Sequence, residues 1–257
     1  MGWACCSTTP APQAASAAPS SPPKTALWVG NSFFYYNNSM HGHVGSLIAA
    51  ADPGTKGYRA TSVTISGSGI NWHDLESHFK PGGVGSYSFD AGNNVVFNSF
   101  AKPFDVVIMM DCSQCPIHPQ LQAAFHATVK KDAEIVARYG ARPVLFMSWA
   151  YKDAPEMTAQ LAEQYTIAGN ANDALVIPAG LAFAKAVSRR PGLELYQPDL
   201  RHPTLAGTYL AACTTYATLQ KKSPVGIKYT AGLDPELATF LQQVAADTAR
   251  DYFARPN

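Results

Sequence analysis

Charge is scarce in this chain: 14% of its residues are Asp, Glu, Lys or Arg, and 19 cations face 18 anions. A net charge of +1 offers none of the basic surface that a phosphate backbone requires, so nucleic acid is excluded as a partner. Long apolar runs are also missing. A membrane-spanning helix needs about 18 or more consecutive apolar residues, and no stretch reaches that length. Cysteine is sparse, with five in 257 residues, in a chain long enough to bury a large core of its own; a disulfide framework is not what holds it together. No second CxxC and no spaced His–Cys pair accompanies Cys112 and Cys115, so no zinc site is expected. His41 and His43 would point in different directions on a helix. No metal and no organic cofactor is called for.

What is present begins with a segment that has almost nothing to bury. Residues 1–23 are rich in Ala, Pro, Ser and Thr and read as a disordered tether ahead of one domain spanning 24–257. Within it, Trp3-Ala4-Cys5-Cys6 resembles the end of a bacterial lipoprotein signal, where a small residue precedes the cysteine that is lipidated. The charged and apolar parts of such a signal do not precede it. The expectation is an exported protein, periplasmic or anchored to a membrane through Cys5 or Cys6. Nothing in the sequence specifies the oligomeric state.

From Lys24 onward, short apolar runs alternate with amphipathic stretches. Strands are predicted at Thr25–Val29, Tyr58–Ser66, Phe104–Met110, Pro143–Trp149 and Ala174–Ile177. The run Phe104–Met110 is apolar on both faces, as a central parallel strand must be. Helices are predicted at Val44–Ala51, Gln120–Tyr139, Pro155–Ala168, Gly180–Ser188 and Thr204–Leu219. A last one opens at Asp234 with Pro235 in its first turn. This alternation implies a three-layer α/β/α sandwich around a mostly parallel five-stranded sheet, joined by right-handed crossovers. Lys80–Phe100, rich in Gly, Asn and Ser, breaks the rhythm and reads as an elaborated loop. Cys213 falls in an apolar helical run and reads as core.

In open parallel sheets, sites form where loops leave the C-terminal ends of strands. Four polar segments lie there: Ser32 after the first strand, Ser66-Gly67-Ser68-Gly69 after the second, Ser113-Gln114 after the third, and the Asp199–His202 loop ahead of a late helix. A serine hydroxyl is a poor nucleophile until a base takes its proton, and imidazole does so near neutral pH. The imidazole in turn needs a carboxylate to fix its tautomer. Asp199 and His202, three apart between Pro198 and Pro203, can present both groups to one pocket. A helix starting near Ser32 would turn its amide end towards the developing negative charge. The Ser32 and Gly67 amides and the Gln114 side chain are the candidate oxyanion donors. Asn31, Trp149 and Tyr151 are the candidate substrate contacts, although the two aromatics read equally well as core and rim residues.

Gly30-Asn31-Ser32 resembles the first sequence block of the SGNH (GDSL-type) hydrolases, Gly67 the glycine of the second, and Asp199-Leu200-Arg201-His202-Pro203 the DxxH of the last. The order and spacing over Lys24–Leu219 are closest to an uncharacterised bacterial SGNH-like branch. That branch has the pattern GNSFxYYNN (Asn31–Asn38 here), Trp149-Ala150-Tyr151 after a strand, and DxxHPxxxGxYLAAC at Asp199–Cys213. The resemblance implies a flavodoxin-like hydrolase fold and a serine esterase without cofactor. Its substrates would be small-molecule or polysaccharide esters, such as O-acyl groups on carbohydrate or cell-envelope polymers. One departure stands out: where the third block has asparagine in a Gly-x-Asn-Asp turn, this chain has Cys112-Ser113-Gln114-Cys115, and Gln114 offers the same amide on a longer stem.

Two other readings stay open. A non-catalytic glycan-binding or envelope-assembly protein could retain the same fold, with the Gln114 departure as its support. Cys112 and Cys115, followed by Pro116 and His118, could form a local disulfide or a redox pair.

Overall fold

A computed structural model of the chain describes residues 21–54 and 57–254. Cys5, Cys6 and the rest of residues 1–20 lie outside the described residues. The elements in chain order are β1 (Thr25–Gly30), α1 (Ser32–Tyr35), α2 (Met40–Ala51), β2 (Arg59–Thr64), β3 (Tyr87–Phe89), β4 (Val95–Phe97), β5 (Val106–Met109), α3 (Gln122–Arg138), β6 (Arg142–Phe146), α4 (Met157–Ala171), β7 (Leu175–Ile177), α5 (Ala179–Arg189), α6 (Leu205–Gln220) and α7 (Pro235–Phe253).

Five strands form one sheet in the order β2-β1-β5-β6-β7, and every pairing in it is parallel. Residues alternate between its faces with a period of two. Ala26, Trp28, Val106, Ile108, Val144 and Phe146 face one core, shared with α2, α5, α6 and α7. Leu27, Val29, Val107, Met109, Leu145 and Val176 face the other, shared with α3 and α4. Burial on both faces explains why the central strands are continuous apolar runs, and the result is the α/β/α sandwich expected from the alternation. The parallel register aligns Val29 with Met109 and Gly30 with Thr64. The loops that follow β1, β2 and β5 therefore leave the sheet side by side. No helix among the described residues is long and apolar enough to cross a membrane.

The stretch expected to be a loop contains a small hairpin. β3 and β4 pair antiparallel, with Tyr87 opposite Phe97 and Phe89 opposite Val95. Its turn is built by Asp90, whose Oδ1 accepts from the Gly92 and Asn94 amides while Asn93 takes a left-handed φ of 66°. Three-residue strands are too short to show periodicity, which is why the alternation was invisible in the sequence.

One charge lies in the wrong environment. Asp132 sits on the buried face of α3 beside Val129, Ala133 and Val136, and its nearest cation is the Lys131 ammonium at 3.5 Å. Burial pushes its carboxyl up to about 6, with Lys131 pulling weakly the other way. An acid with a raised folded pKa adds stability below its unfolded value, near 4, and that contribution is lost as pH rises through about 6. Asp132→Asn is therefore expected to match the wild-type Tm at pH 4 and to exceed it at pH 7–8, by an amount corresponding to about 1–3 kcal/mol. Melting curves across that range check the sign.

Candidate active site

Ser32 is the first residue of α1, directly after β1, and is 8% exposed. Its Oγ lies 2.8 Å from His202 Nε2. The other ring nitrogen, Nδ1, is hydrogen-bonded to Asp199 Oδ2. Residues 170 positions apart thus meet in the serine–imidazole–carboxylate order that the sequence suggested.

The turn carrying the carboxylate and the base is tightly specified. Asp199 Oδ1 accepts from the amides of both Arg201 and His202 at 3.0 Å, so the carboxylate caps the loop and holds the imidazole at once. Desolvation opposes ionisation of Asp199, but the hydrogen bonds from His202 and these two amides outweigh it and hold the carboxyl down at about 2. Leu200 between them adopts a left-handed φ of 63°, fastened by the Lys152 amide on its carbonyl. Arg201 pairs with Asp153 and stacks 3.8 Å above the Tyr151 ring. On the far side of His202, the Gln197 amide bonds to the His202 carbonyl at 2.8 Å.

Asn31 does something other than contact substrate. It is 5% exposed and its side chain is committed to the protein. Its Nδ2 donates to the carbonyls of Ser68 and Asp111, and its Oδ1 accepts from the Phe33 amide. It therefore ties together the loops after β1, β2 and β5. Trp149 is corrected in the same way: fully buried, it stacks between Phe33 at 4.6 Å and Phe183 at 4.2 Å. Its indole N–H donates to the Arg201 carbonyl. Both residues position the site from behind. Tyr151 is half-buried, with its hydroxyl 2.6 Å from Ser113 Oγ.

The expected oxyanion donors Gly67 and Gln114 lie on the loops after β2 and β5. Gly67 lies exposed in the turn after β2, at a φ of 69° that favours glycine. Gly69 is buried, and a Cβ there would stand 2.7 Å from Asp111 Oδ1. Asp111 was not singled out from sequence, yet its Oδ1 accepts from the Ile70 and Cys112 amides and so joins the second and third loops. Burial raises its pKa, opposed by those two amides. The available signal was a carboxylate ending the most apolar strand of the chain. Cys112 and Cys115 form a disulfide that closes the turn bearing Ser113 and Gln114. Gln114 is exposed, and its carbonyl accepts from the Ile117 and His118 amides. One expectation fails outright: α1 is a single turn of four residues, too short for a helix dipole to favour negative charge at Ser32.

No protein-family model matches the chain, and no curated protein does. Solved structures do. The sandwich is similar in fold to solved SGNH hydrolase structures. A DUF4886 family protein from Bacteroides uniformis superposes with a TM-score of 0.56 at 17% identity, covering 87% of this chain and 93% of its own. A putative SGNH hydrolase from Slackia heliotrinireducens gives 0.53 at 23% identity, covering 76% and 97%. A catalytic mutant of Axe2, an acetylxylan esterase from Geobacillus stearothermophilus, gives 0.54 at 14% identity, covering 77% and 95%.

The clasp role of Asn31 is open to test. Asn31→Ala would strand two buried carbonyls and an amide, and is expected to lower stability by about 1–3 kcal/mol. A side chain that only touched substrate would leave the denaturation midpoint unchanged, so urea titration separates the two roles.

Proposed function

We propose that this protein is a serine esterase that hydrolyses carboxylic esters through an acyl-enzyme. The observation that carries the reading is the continuous relay from Ser32 Oγ through the His202 imidazole to the Asp199 carboxylate. His202 Nε2 removes the hydroxyl proton as Ser32 Oγ attacks the ester carbonyl. Asp199, held ionised, fixes the tautomer with the proton on Nδ1 and stabilises the imidazolium that forms. His202 then returns the proton to the departing alcohol. Water deprotonated by the same nitrogen releases the acid and regenerates Ser32. The Ser32 and Gly67 amides and the Gln114 side chain are proposed as donors to the tetrahedral oxyanion, with Tyr151 at the substrate rim. The chemistry asks for no metal or cofactor.

The substrate we favour is an O-acyl group on carbohydrate or a cell-envelope polymer. His202 is partly exposed and Asp199 more so, which suits an ester presented on a larger molecule. One structural neighbour is an acetylxylan esterase. The Cys112–Cys115 disulfide supports an oxidising compartment and hence export.

Incubation with a fluorophosphonate probe, followed by intact-mass measurement, is expected to add one label to the wild type and none to Ser32→Ala. Turnover of acetylated polysaccharides and of p-nitrophenyl esters of increasing chain length is expected to fall about 10⁶-fold in kcat for Ser32→Ala and about 10⁴-fold for Asp199→Asn. Gln114→Ala is expected to cost about 10²–10³-fold. A wild type that neither labels nor turns over any ester defeats the proposal and leaves the non-catalytic glycan-binding alternative.

A further inference from the structure

The motif Tyr35-Tyr36-Asn37-Asn38 lies just beyond the nucleophile, after Phe33 and Phe34, and the relay does not use it. In the fold it comes back to the base. The half-buried Tyr36 ring lies face to face with the His202 imidazole, with centroids 4.2 Å apart and planes 13° from parallel. Phe33 meets the same imidazole edge-on at 5.5 Å. Asn37, the next residue, reaches the segment that follows the base. Its Nδ2 donates to the Pro203 carbonyl and to Thr208 Oγ1, both at 2.8 Å.

The backbone that achieves this is unfavourable. Asn37, Asn38 and Ser39 all take left-handed φ values, 53°, 66° and 67°. Asparagine tolerates that region better than most residues; serine does so less readily. Such a run persists only where its surroundings over-determine it. Here His43 supplies the hold. Its Nε2 lies 2.7 Å from the Asn37 carbonyl, an oxygen that can only accept, so Nε2 carries the hydrogen. Its Nδ1 contacts the Tyr229 hydroxyl at 2.7 Å. The chain therefore leaves the nucleophile, places Tyr36 on the base, and then turns left-handed for three residues, the first of which sets its side chain on the residue after the base.

We infer that Tyr36 is a positioning residue for His202, clamped by Asn37, whose ring holds the imidazole in the plane that reaches both Ser32 Oγ and Asp199. Two hydrogen bonds at opposite nitrogens leave the imidazole free to rock about the line joining them. A parallel ring on one face and an edge on another remove that freedom. The π face also favours the imidazolium formed during attack over the neutral ring before it. Both effects act on the chemical step and leave the ground-state binding of an ester alone. The inference rests on the reading of His202 as general base.

The test compares Tyr36→Leu, Tyr36→Phe and Asn37→Gly in the full chain. Glycine at 37 keeps the left-handed backbone and deletes only the amide clamp. Tyr36→Leu is expected to lower kcat about tenfold with KM unchanged. Tyr36→Phe, which keeps the ring, should restore kcat to within about threefold of wild type. Asn37→Gly should lower kcat several-fold, and combining it with Tyr36→Leu should cost less than the sum of the two. In NMR spectra the His202 ring protons should carry an upfield ring-current displacement that survives in Tyr36→Phe and disappears in Tyr36→Leu. Wild-type kcat in Tyr36→Leu, an equal loss in Tyr36→Phe, or a His202 resonance indifferent to both variants overturns the inference. A wild type that shows the displacement but hydrolyses no ester and takes no fluorophosphonate overturns the esterase reading, and with it the role assigned to Tyr36. If Tyr36→Leu does not fold, Asn37→Gly and Tyr36→Phe decide the matter by the same kcat and resonance criteria.

Discussion

Loops that leave the ends of buried parallel strands carry carbonyls that no further strand will satisfy, and each must find a donor or water. At this site one buried amide meets much of that requirement. Asn31 donates to carbonyls of the β2 and β5 loops and accepts from the first turn of α1, so three separate loops share one side chain. Asp111 repeats the device from the other direction, accepting from amides of the second and third loops. Ser32 adjoins the residue on which these bonds converge. The position of its hydroxyl is a consequence of backbone satisfaction at the sheet edge as much as of any contact with the base.

His202 arrives by a different route. His202 belongs to a loop anchored to the sheet by Trp149, whose indole N–H donates to the Arg201 carbonyl while its faces are gripped by Phe33 and Phe183. Phe33 is common to both systems. It lies beside Ser32 in α1, stacks on Trp149 and meets His202 edge-on. The hydrophobic packing of one aromatic residue therefore couples the Ser32 turn to the His202 loop, and the 2.8 Å contact between Ser32 and His202 is set from behind rather than by the hydrogen bond alone.

This division explains what could be read from sequence. β1, β5, β6 and β7 were legible because burial on two faces writes continuous apolar runs, the half-buried β2 because it is rich in β-branched residues, and most of the longer helices because burial on one face writes a helical period. The relay was legible because nucleophile, base and carboxylate are chemically distinctive and the DxxH spacing is local. Asn31 was read as a substrate contact and Trp149 as either that or core, because an amide or an indole at a strand end suits a substrate contact and a buried tie equally well, and only the burial of their donors decides. The partnership of Tyr36 with His202 is a tertiary contact between distant residues, and no local pattern encodes it. The β3–β4 hairpin escaped because its strands are shorter than the window in which alternation can be seen.

Backbone strain is distributed accordingly. Non-glycine left-handed residues occur in turns across the fold, at Asn93, Asp173, Lys221 and Ala231, and two further groups flank His202 on both sides. Leu200 sits two residues before His202, while Asn37 to Ser39 lie spatially against the residues that follow it. Each is held by hydrogen bonds from several elements: Leu200 by the Lys152 amide and the Gln197 carbonyl, Asn37 by His43, Pro203 and Thr208. A fold selected for stability alone would place glycine, or a longer turn, at such positions. Keeping a leucine and a serine there means that the surrounding contacts absorb the strain. Those contacts converge on the loop of one imidazole, which meets the Ser32 hydroxyl with one nitrogen and the Asp199 carboxylate with the other.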